Sequence, residues 1–329
     1  MSKVIFSGIQ PSGELHIGNY FGAIKNWLEL QKQESLCYFC VVDLHAITID
    51  YDPKQFQDKI LDTIATYLAC GIDPEKSIIF VQSKVKEHAE LAWLLNTITP
   101  ISELERMTQY KDKRAQHIKN VNIGLLDYPV LQAADILLYN TNIVPVGQDQ
   151  KQHIELARTI ANKFNTKFGK TLTIPEHFIP EVGAKIMSLL EPTKKMSKSH
   201  NPKSYISLSD SKEHIEKKIM SAVTDSDNKI FFDPEKKPAI SNLLSIYHLA
   251  TGWTLQQIQD KYKDSTSYAQ FKKDLAENII KLLQPIQDKK QELLKDETKL
   301  LEILDNSTKK AQTEATKTML IVKKKMGLI

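Results

Sequence analysis

The stretch Phe6-Ser-Gly-Ile-Gln-Pro-Ser-Gly-Glu-Leu-His-Ile-Gly-Asn19 decides the architecture. Before it stands a short apolar run, Val4 to Phe6, that reads as a first strand. After it, Tyr20, Phe21, Ile24, Trp27 and Leu28 recur with the spacing of one helical face. Pro11, Ser12 and Gly13 force a turn between the two. A helix entrance carries unpaired backbone N–H groups and the positive end of the macrodipole, which suits a phosphate. His16 stands at that entrance, and Gly18 removes a side chain where a ligand would approach the backbone. No Gly-Lys-Ser/Thr follows, so this is not a P-loop. Nor is it the Gly-x-Gly-x-x-Gly dinucleotide fingerprint. On this stretch alone, a plain strand-to-helix turn with a surface histidine is an equal reading.

The same pattern repeats outward along the chain. Cys37 to Val42 is a near-continuous apolar run, the mark of a strand buried on both faces, and it ends in Asp43-Leu-His-Ala46. Open parallel sheets bind ligands at that end of their strands, so His45 is a candidate site residue, with a capping or surface role the competing reading. Pro53 to Cys70 is predicted helical with Gly71 as its stop, Ser77 to Val81 a third strand, and Glu87 to Asn96 and Ser102 to Tyr110 helices. Lys111 to Asn120 is charged and aperiodic, the pattern of a surface loop. Val130 to Tyr139 reads as a helix entered after Pro129. It holds one acid, Asp135, among Leu131, Ala133, Ala134, Ile136, Leu137 and Leu138; the acid is either a polar edge or the floor of a pocket. Asn142 to Val146 is a fourth strand, followed by Gly147-Gln-Asp-Gln150 and a helix over Gln152 to Lys167, and Ile186 to Leu190 is a fifth strand.

Alternating strands and helices over residues 4–190 imply an α/β, doubly wound, parallel five-stranded Rossmann-like sheet. From about Ser207 only helical patterns remain: Ile215 to Val223, Ile240 to Thr251, Thr254 to Lys261, Tyr268 to Leu294, broken or kinked near Pro285, and Thr298 to Met326. The expected divisions are a sheet domain over 1–192, an all-helical domain over 193–294, and a terminal helix over 295–329. That last segment carries six Lys and one Glu from Lys309 onward, a solvated face or, less favoured, an RNA contact.

Composition bounds the partners. The 329 residues suffice for two domains and a core, and 41% hydrophobic with 26% charged residues is the balance of a soluble globular protein. A net charge of +4 permits an RNA partner without demanding one. No apolar run is long enough to cross a bilayer, and the run after Lys3 is too short for a signal peptide, so a cytoplasmic protein with no membrane partner is expected. The three cysteines, Cys37, Cys40 and Cys70, do not form a disulfide framework. Period two places Cys37 and Cys40 on opposite strand faces, against a metal site.

Beyond the fifth strand lies Glu191-Pro-Thr-Lys-Lys-Met-Ser-Lys-Ser-His200. Its clustered ammonium and hydroxyl groups suit a polyphosphate. Lys195-Met-Ser-Lys-Ser199, together with His16-Ile-Gly-Asn19 and a parallel sheet between them, resembles the two signature motifs of the class I aminoacyl-tRNA synthetases. Gly8-Ile-Gln-Pro-Ser-Gly13, Gly147-Gln-Asp-Gln150, Gly183-Ala-Lys-Ile-Met-Ser188 and Pro192 to Ser199 resemble the bacterial tryptophanyl branch most closely, over essentially the full chain. A tyrosyl enzyme is the nearest alternative, since it shares a Gln-Ala-x-Asp helix like Gln132 to Asp135. That branch carries Tyr where Phe6 stands and Asp-Pro where Gln10-Pro11 stands. A smaller nucleotidyltransferase and a catalytically inactive binding paralogue are further readings. The first is opposed by the intact second motif and the helical C-terminal part, the second by the presence of every motif side chain.

The resemblance implies ATP as substrate, Mg²⁺ held by its phosphates, tryptophan and its tRNA as partners rather than DNA, and a homodimer whose last helix packs back on the sheet domain. His16, Lys195 and Lys198 are the implied catalytic residues. Gln10, Pro11, Ser12, Gly18, Asn19, Met196, Ser197 and Ser199 would hold ATP with them. Gly147, Gln148 and Asp149 would take the ribose, and Ile186 and Met187 would present backbone groups to the adenine. Phe6, Gly8, His45, Tyr128, Gln132, Asp135 and Gln150 would surround tryptophan. Asp135 would accept from the indole N–H, so that a substrate lacking this donor leaves the carboxylate unpaired. No protein-held metal is implied. There are two departures from the family's pattern: some close relatives carry Met at Gln132, and His200-Asn-Pro stands where a more acidic stretch is common.

Overall fold

The structure, a computed structural model, describes residues 3–11, 15–33, 35–116, 121–178, 186–197, 201–265 and 267–329. Strand β1 (Val4–Ile9) leads into α1 (Ile17–Asn19), a π-helical turn (Tyr20–Ile24) and α2 (Lys25–Lys32). Strand β2 (Leu36–Val41) is followed by α3 (Asp43–Ala46) and α4 (Pro53–Ala69). Next come β3 (Ser77–Val81), α5 (Glu87–Asn96), α6 (Ile101–Glu105), α7 (Thr108–Gln116) and α8 (Ile123–Leu137). Then β4 (Ile143–Pro145), α9 (Lys151–Phe168) and β5 (Glu176–Phe178) complete the sheet. The remaining elements are α10 (Lys212–Met220), α11 (Pro238–Thr251), α12 (Leu255–Lys261), α13 (Ala269–Lys295) and α14 (Glu297–Met326), with a short 3₁₀ turn at Pro202–Ser204.

The strand order is β3-β2-β1-β4-β5, all parallel. β1 pairs with β2 from Val4↔Leu36 to Ile9↔Val41, and with β4 at Ile5↔Ile143. The chain runs outward from β1 on one side and returns on the other. That makes the C-terminal ends of β1 and β4 a switch point, where an open α/β sheet leaves a crevice.

Period two is obeyed along β2. Cys37, Phe39 and Val41 pack with Trp27, Ile64 and Tyr67 on one face. Tyr38 and Cys40 pack with Leu91, Leu137 and Ile160 on the other. Cys37 and Cys40 are therefore core residues on opposite faces, and burial pushes the Cys37 thiol up to about 11. The first cluster runs on without a break into Ile240 and Leu244 of α11 and Phe271 and Leu275 of α13. The second takes in Ala311, Ala315, Met319 and Val322 of α14, which lies beside β3 and α5.

Five element predictions need correction. The fifth strand is Glu176–Phe178, not Ile186 to Leu190. β5 is an edge strand whose three residues are all exposed, so it carries no apolar run to detect. Ile186 and Leu189 are apolar because they are buried outside the sheet, in a turn where Met187 bridges Lys195 in antiparallel fashion. Helix α8 begins six residues before Pro129, because the Asn122 side chain accepts from the Leu125 N–H and caps it earlier. Ser102 to Tyr110 is two helices, α6 and α7, and α7 carries helix to Gln116 through the stretch read as a loop. Residues 117–120 of that stretch lie outside the described residues. Helix α13 is continuous through Pro285, which removes the break offered as one of the two alternatives there. That proline faces solvent between buried Leu283 and Ile286, so the carbonyl it cannot satisfy is on the wet side.

Candidate active site

A cavity of about 550 Å³ opens at the switch point. The end of β1 contributes Phe6, Gly8 and Gln10; the helix entrance, Asn19; and β4 with its following turn, Val144, Gly147 and Asp149. His45, Tyr128, Gln132, Asp135 and Gln150 close it. Eleven of the sequence-predicted residues thus share one wall, drawn from β1, α1, α3, α8 and the turn before α9. The size is that of a small-molecule site. Gln109 of α7, which sequence reasoning missed, also lines it and reaches the Asp149 carbonyl at 3.2 Å.

Asp135 is 1% exposed and ionised within a cage of donors. The Nε2 of His45 is 2.7 Å from its Oδ2; the Gln82 amide donates to Oδ1 at 2.6 Å; and the Nδ1 of His88 lies 2.6 Å from Oδ1. The Gln82 amide is oriented by its own oxygen, which accepts from the Leu44 N–H at 3.1 Å, so its nitrogen faces the carboxylate. The second ring nitrogen of His88 is held at 2.8 Å by the Tyr139 hydroxyl. Burial pushes the Asp135 carboxyl up, but the charges and hydrogen bonds of His45 and His88 outweigh it and hold the group below the usual carboxylate range. This corrects one expectation. A ligand lacking a donor would not leave Asp135 unpaired, because three protein donors already satisfy it; such a ligand would forfeit one further bond at the cavity face. Beside the cage, the Tyr128 hydroxyl meets His153 Nε2 at 3.1 Å, and burial pushes it up to about 12.

The helix entrance is built as its sequence indicated. His16 is the N-cap of α1, and its N–H donates to Asn19 Oδ1 at 3.0 Å. Its ring is buried beside Tyr205. A Cβ on Gly18 would lie 2.8 Å from that ring, so only glycine lets the imidazole fold back over the helix start. The same point is 3.7 Å from the Cβ of Met196, which brings the two signature motifs together across more than 170 residues of chain.

The second motif sits on a small hairpin. Ser188 N–H donates to the Lys194 carbonyl at 2.8 Å and Met196 N–H to the Ile186 carbonyl at 2.9 Å. Ile186 and Met196 are buried, Lys195 is exposed, and neither they nor Met187 and Ser197 line the cavity wall. Met187 differs from expectation. Its N–H and its C=O are both engaged, each at 2.9 Å, by the side-chain amide of Asn242 on α11, so that N–H is not available to a base. Pro11 is buried next to the entrance and Gln148 opens the 3₁₀ turn before α9. Ser12, Lys198 and Ser199, with residues 183–185 of the adenine-side motif, lie outside the described residues.

Residues 2–284 match the family described as tRNA synthetases class I (W and Y). This chain belongs to that family. Among its relatives, the tryptophan–tRNA ligase of Bacillus anthracis is 54% identical over 327 residues, 99% of this chain and 98% of that one. The tryptophanyl-tRNA synthetase structure from Mycoplasma pneumoniae matches with a TM-score of 0.90 at 38% identity, over 99% of this chain and 98% of that one. The Campylobacter jejuni synthetase, solved with ADP and tryptophan, matches with a TM-score of 0.86 at 38% identity, over 98% and 99% of the two chains.

Within this synthetase, sequence reasoning missed four polar residues: Gln82, His88, Gln109 and Asn242. Gln82 had a readable signal, since Gln82-Ser-Lys84 stands just past the end of β3 as His45 and Gly147 stand past β2 and β4. His88 is in the first turn of α5, between Glu87 and Glu90, where a polar residue draws no notice. Gln109 and Asn242 are brought in by tertiary folding alone. Among the described residues no cluster of three or more His, Cys, Asp or Glu side chains could hold a metal ion, and no helix is long and apolar enough to cross a membrane.

Proposed function

We propose that this synthetase activates tryptophan with ATP and passes it to its tRNA. The observation that carries the reading is one cavity that runs from buried, ionised Asp135 to the exposed turn Gly147-Gln-Asp149 and the helix entrance at Asn19. Tryptophan lies at the Asp135 end, its indole N–H donating to Oδ2, with Phe6, Gly8, His45 and Gln132 around the ring and Tyr128 and Gln150 at its ammonium group. The ribose lies on Gly147, Gln148 and Asp149. The triphosphate meets His16, the amides near Gly18 and Asn19, and Gln10, Pro11 and Ser12. The tryptophan carboxylate then attacks the α-phosphorus; a P–O bond forms, the bond to pyrophosphate breaks, and tryptophanyl-adenylate results. A hydroxyl of the tRNA's terminal ribose next attacks the acyl carbon and releases AMP. The protein's part is to align the two reactants and to stabilise charge on phosphate oxygens. Lys195, Lys198, Met196, Ser197 and Ser199 follow the leaving pyrophosphate, and Mg²⁺ enters as MgATP.

The same reading divides the chain into a catalytic domain over 1–192, a helical anticodon-binding domain over 193–294 and a terminal helix over 295–329, working in the cytoplasm. It includes a homodimer. Trp93 of α5 is 71% exposed, Ile101 of α6 64% and Ile123 of α8 76%. The Asn96 amide ties α5 to Asp127 of α8 at 2.8 Å, and Trp93 and Ile123 lie one turn before these two residues on the same faces. A second copy covering this apolar surface accounts for it. Pyrophosphate exchange with each of the twenty amino acids tests the function. Exchange with tryptophan alone is expected; exchange with tyrosine would overturn the substrate, and none at all would move the chain to a binding role.

A further inference from the structure

Asn242 belongs to α11 and does not line the cavity, yet it is buried and spends its whole amide on one residue of the hairpin that carries the second motif. Its oxygen accepts from the Met187 N–H and its nitrogen donates to the Met187 carbonyl, each at 2.9 Å. In an extended segment a residue's N–H and C=O point to the same side. Ile186 and Ser188 turn theirs toward Met196 and Lys194, closing the hairpin. Met187 turns its pair the opposite way, where a neighbouring strand would normally meet it. Among the described residues no strand is paired there, and the amide of Asn242 stands in for one.

We propose that Asn242 is a positioning residue for the nucleotide. By holding both backbone groups of Met187, it fixes the height and tilt of the hairpin in which Ile186 is bonded to Met196 and Met187 lies opposite exposed Lys195. The inference rests on the proposed assignment of that hairpin to ATP. It adds that the ATP end of the site is completed by a side chain of the helical part, while the tryptophan end, built from β1, α3, α5 and α8, is not. Asn242 touches no substrate. Its removal leaves a part-buried N–H and C=O without these partners, and the hairpin must shift or admit water to satisfy them.

The test is tryptophan-dependent pyrophosphate exchange, with KM measured separately for ATP and tryptophan, on wild type, Asn242→Ala, Asn242→Ser and Ser241→Ala. Ser241 is the neighbour in the same helix; its hydroxyl accepts from the Asp233 N–H at 2.9 Å and does not touch Met187. The alanine variant is expected to raise KM for ATP roughly tenfold, about the weight of the two neutral bonds removed, and to leave KM for tryptophan within about twofold. The serine variant, able to keep one of the two bonds, is expected to fall between and covers the case in which the alanine variant does not fold. Ser241→Ala should lower the melting temperature with both KM values unchanged. Equal ATP KM values in wild type and the Asn242 variants, a parallel rise for both substrates, or the same split in Ser241→Ala would overturn the proposal. Wild type without tryptophan-dependent exchange would overturn the functional reading and this inference with it; an active wild type with unaltered Asn242 variants sinks the positioning role alone.

Discussion

Replacing Asp135 by alanine removes an acceptor from three donors at once, and the structure says the loss falls first on stability. Gln82 and His88 are completely buried, and His45 is nearly so. A buried donor left without a partner costs about 1–3 kcal/mol. His45 lines the cavity and can recover a water there, whereas Gln82 and His88 cannot. The expected loss is therefore about 3–5 kcal/mol, the range found when one member of a buried charged network is deleted. That corresponds to a fall in melting temperature on the order of 10 °C. Asp135→Asn should lose much less, because its oxygen still serves Gln82 and His88. The sign with pH follows from the depressed carboxyl. Its ordinary value is 3.8 and the folded value lies lower, so the stabilisation is fully present above 3.8 and is lost as pH falls through the folded value. The gap between wild type and Asp135→Ala should be flat from about pH 5 to pH 8, a window well above that carboxyl value, and should close only in acid. Thermal unfolding without ligand, repeated across pH, measures this. An Asp135→Ala protein that melts within about 2 °C of wild type, yet has lost exchange, would mean the carboxylate is held for the substrate alone, and the cage argument would be wrong.

Three other expectations follow from single contacts. Gly18→Ala places a Cβ 2.8 Å from the buried His16 ring, so KM for ATP should rise at least tenfold while tryptophan binding, followed by equilibrium titration, stays within about twofold. Met319 of α14 is buried with Phe80 against the sheet, and Met319→Ala should cost about 2–5 kcal/mol in urea unfolding with little change in either KM. Trp93→Glu should turn a homodimer into a monomer by light scattering, with stability of the folded chain within about 0.5 kcal/mol of wild type, because the ring makes little use of its own fold.

The sheet was legible where burial on both faces wrote itself into sequence. β2 and β3 are apolar at nearly every position, and their limits follow from composition to within a residue. It was illegible where pairing needs only backbone. β5 is three exposed residues held by register with β4, so nothing in its side chains marks it. The apolar segment read as the fifth strand, Ile186 to Leu190, buries Ile186 and Leu189 outside the sheet, in one cluster with Ile206, Ile240 and Leu244. Periodicity reports that a residue is buried, and it does not report what buries it.

The site divides along the same line. Residues at strand ends and helix entrances, such as His16, His45, Asp149 and Gln150, could be named because local chain geometry places them, while Gln10 was named only through the family resemblance. The consequences of Asp135 could not, because they depend on which donors meet it. Read alone, a carboxylate in an apolar helix invites the inference that it waits for a ligand. His45 from α3, Gln82 from the turn after β3 and His88 from α5 show that the protein supplies most of what the charge requires. On the proposed reading of the site, selectivity comes from the approach to Oδ2 at the cavity face and from the shape set by Phe6, Gly8 and Gln132. A ring that lacks the donor forfeits about one charge-assisted bond, on the order of 1.5–3 kcal/mol, or roughly tenfold to a hundredfold in binding. Comparing tryptophan with an isosteric analogue whose ring nitrogen is replaced by sulfur isolates that bond. A discrimination far above a hundredfold would require the cage to open for the substrate, and His45, the one donor of the three that lines the cavity, would be the group that moves.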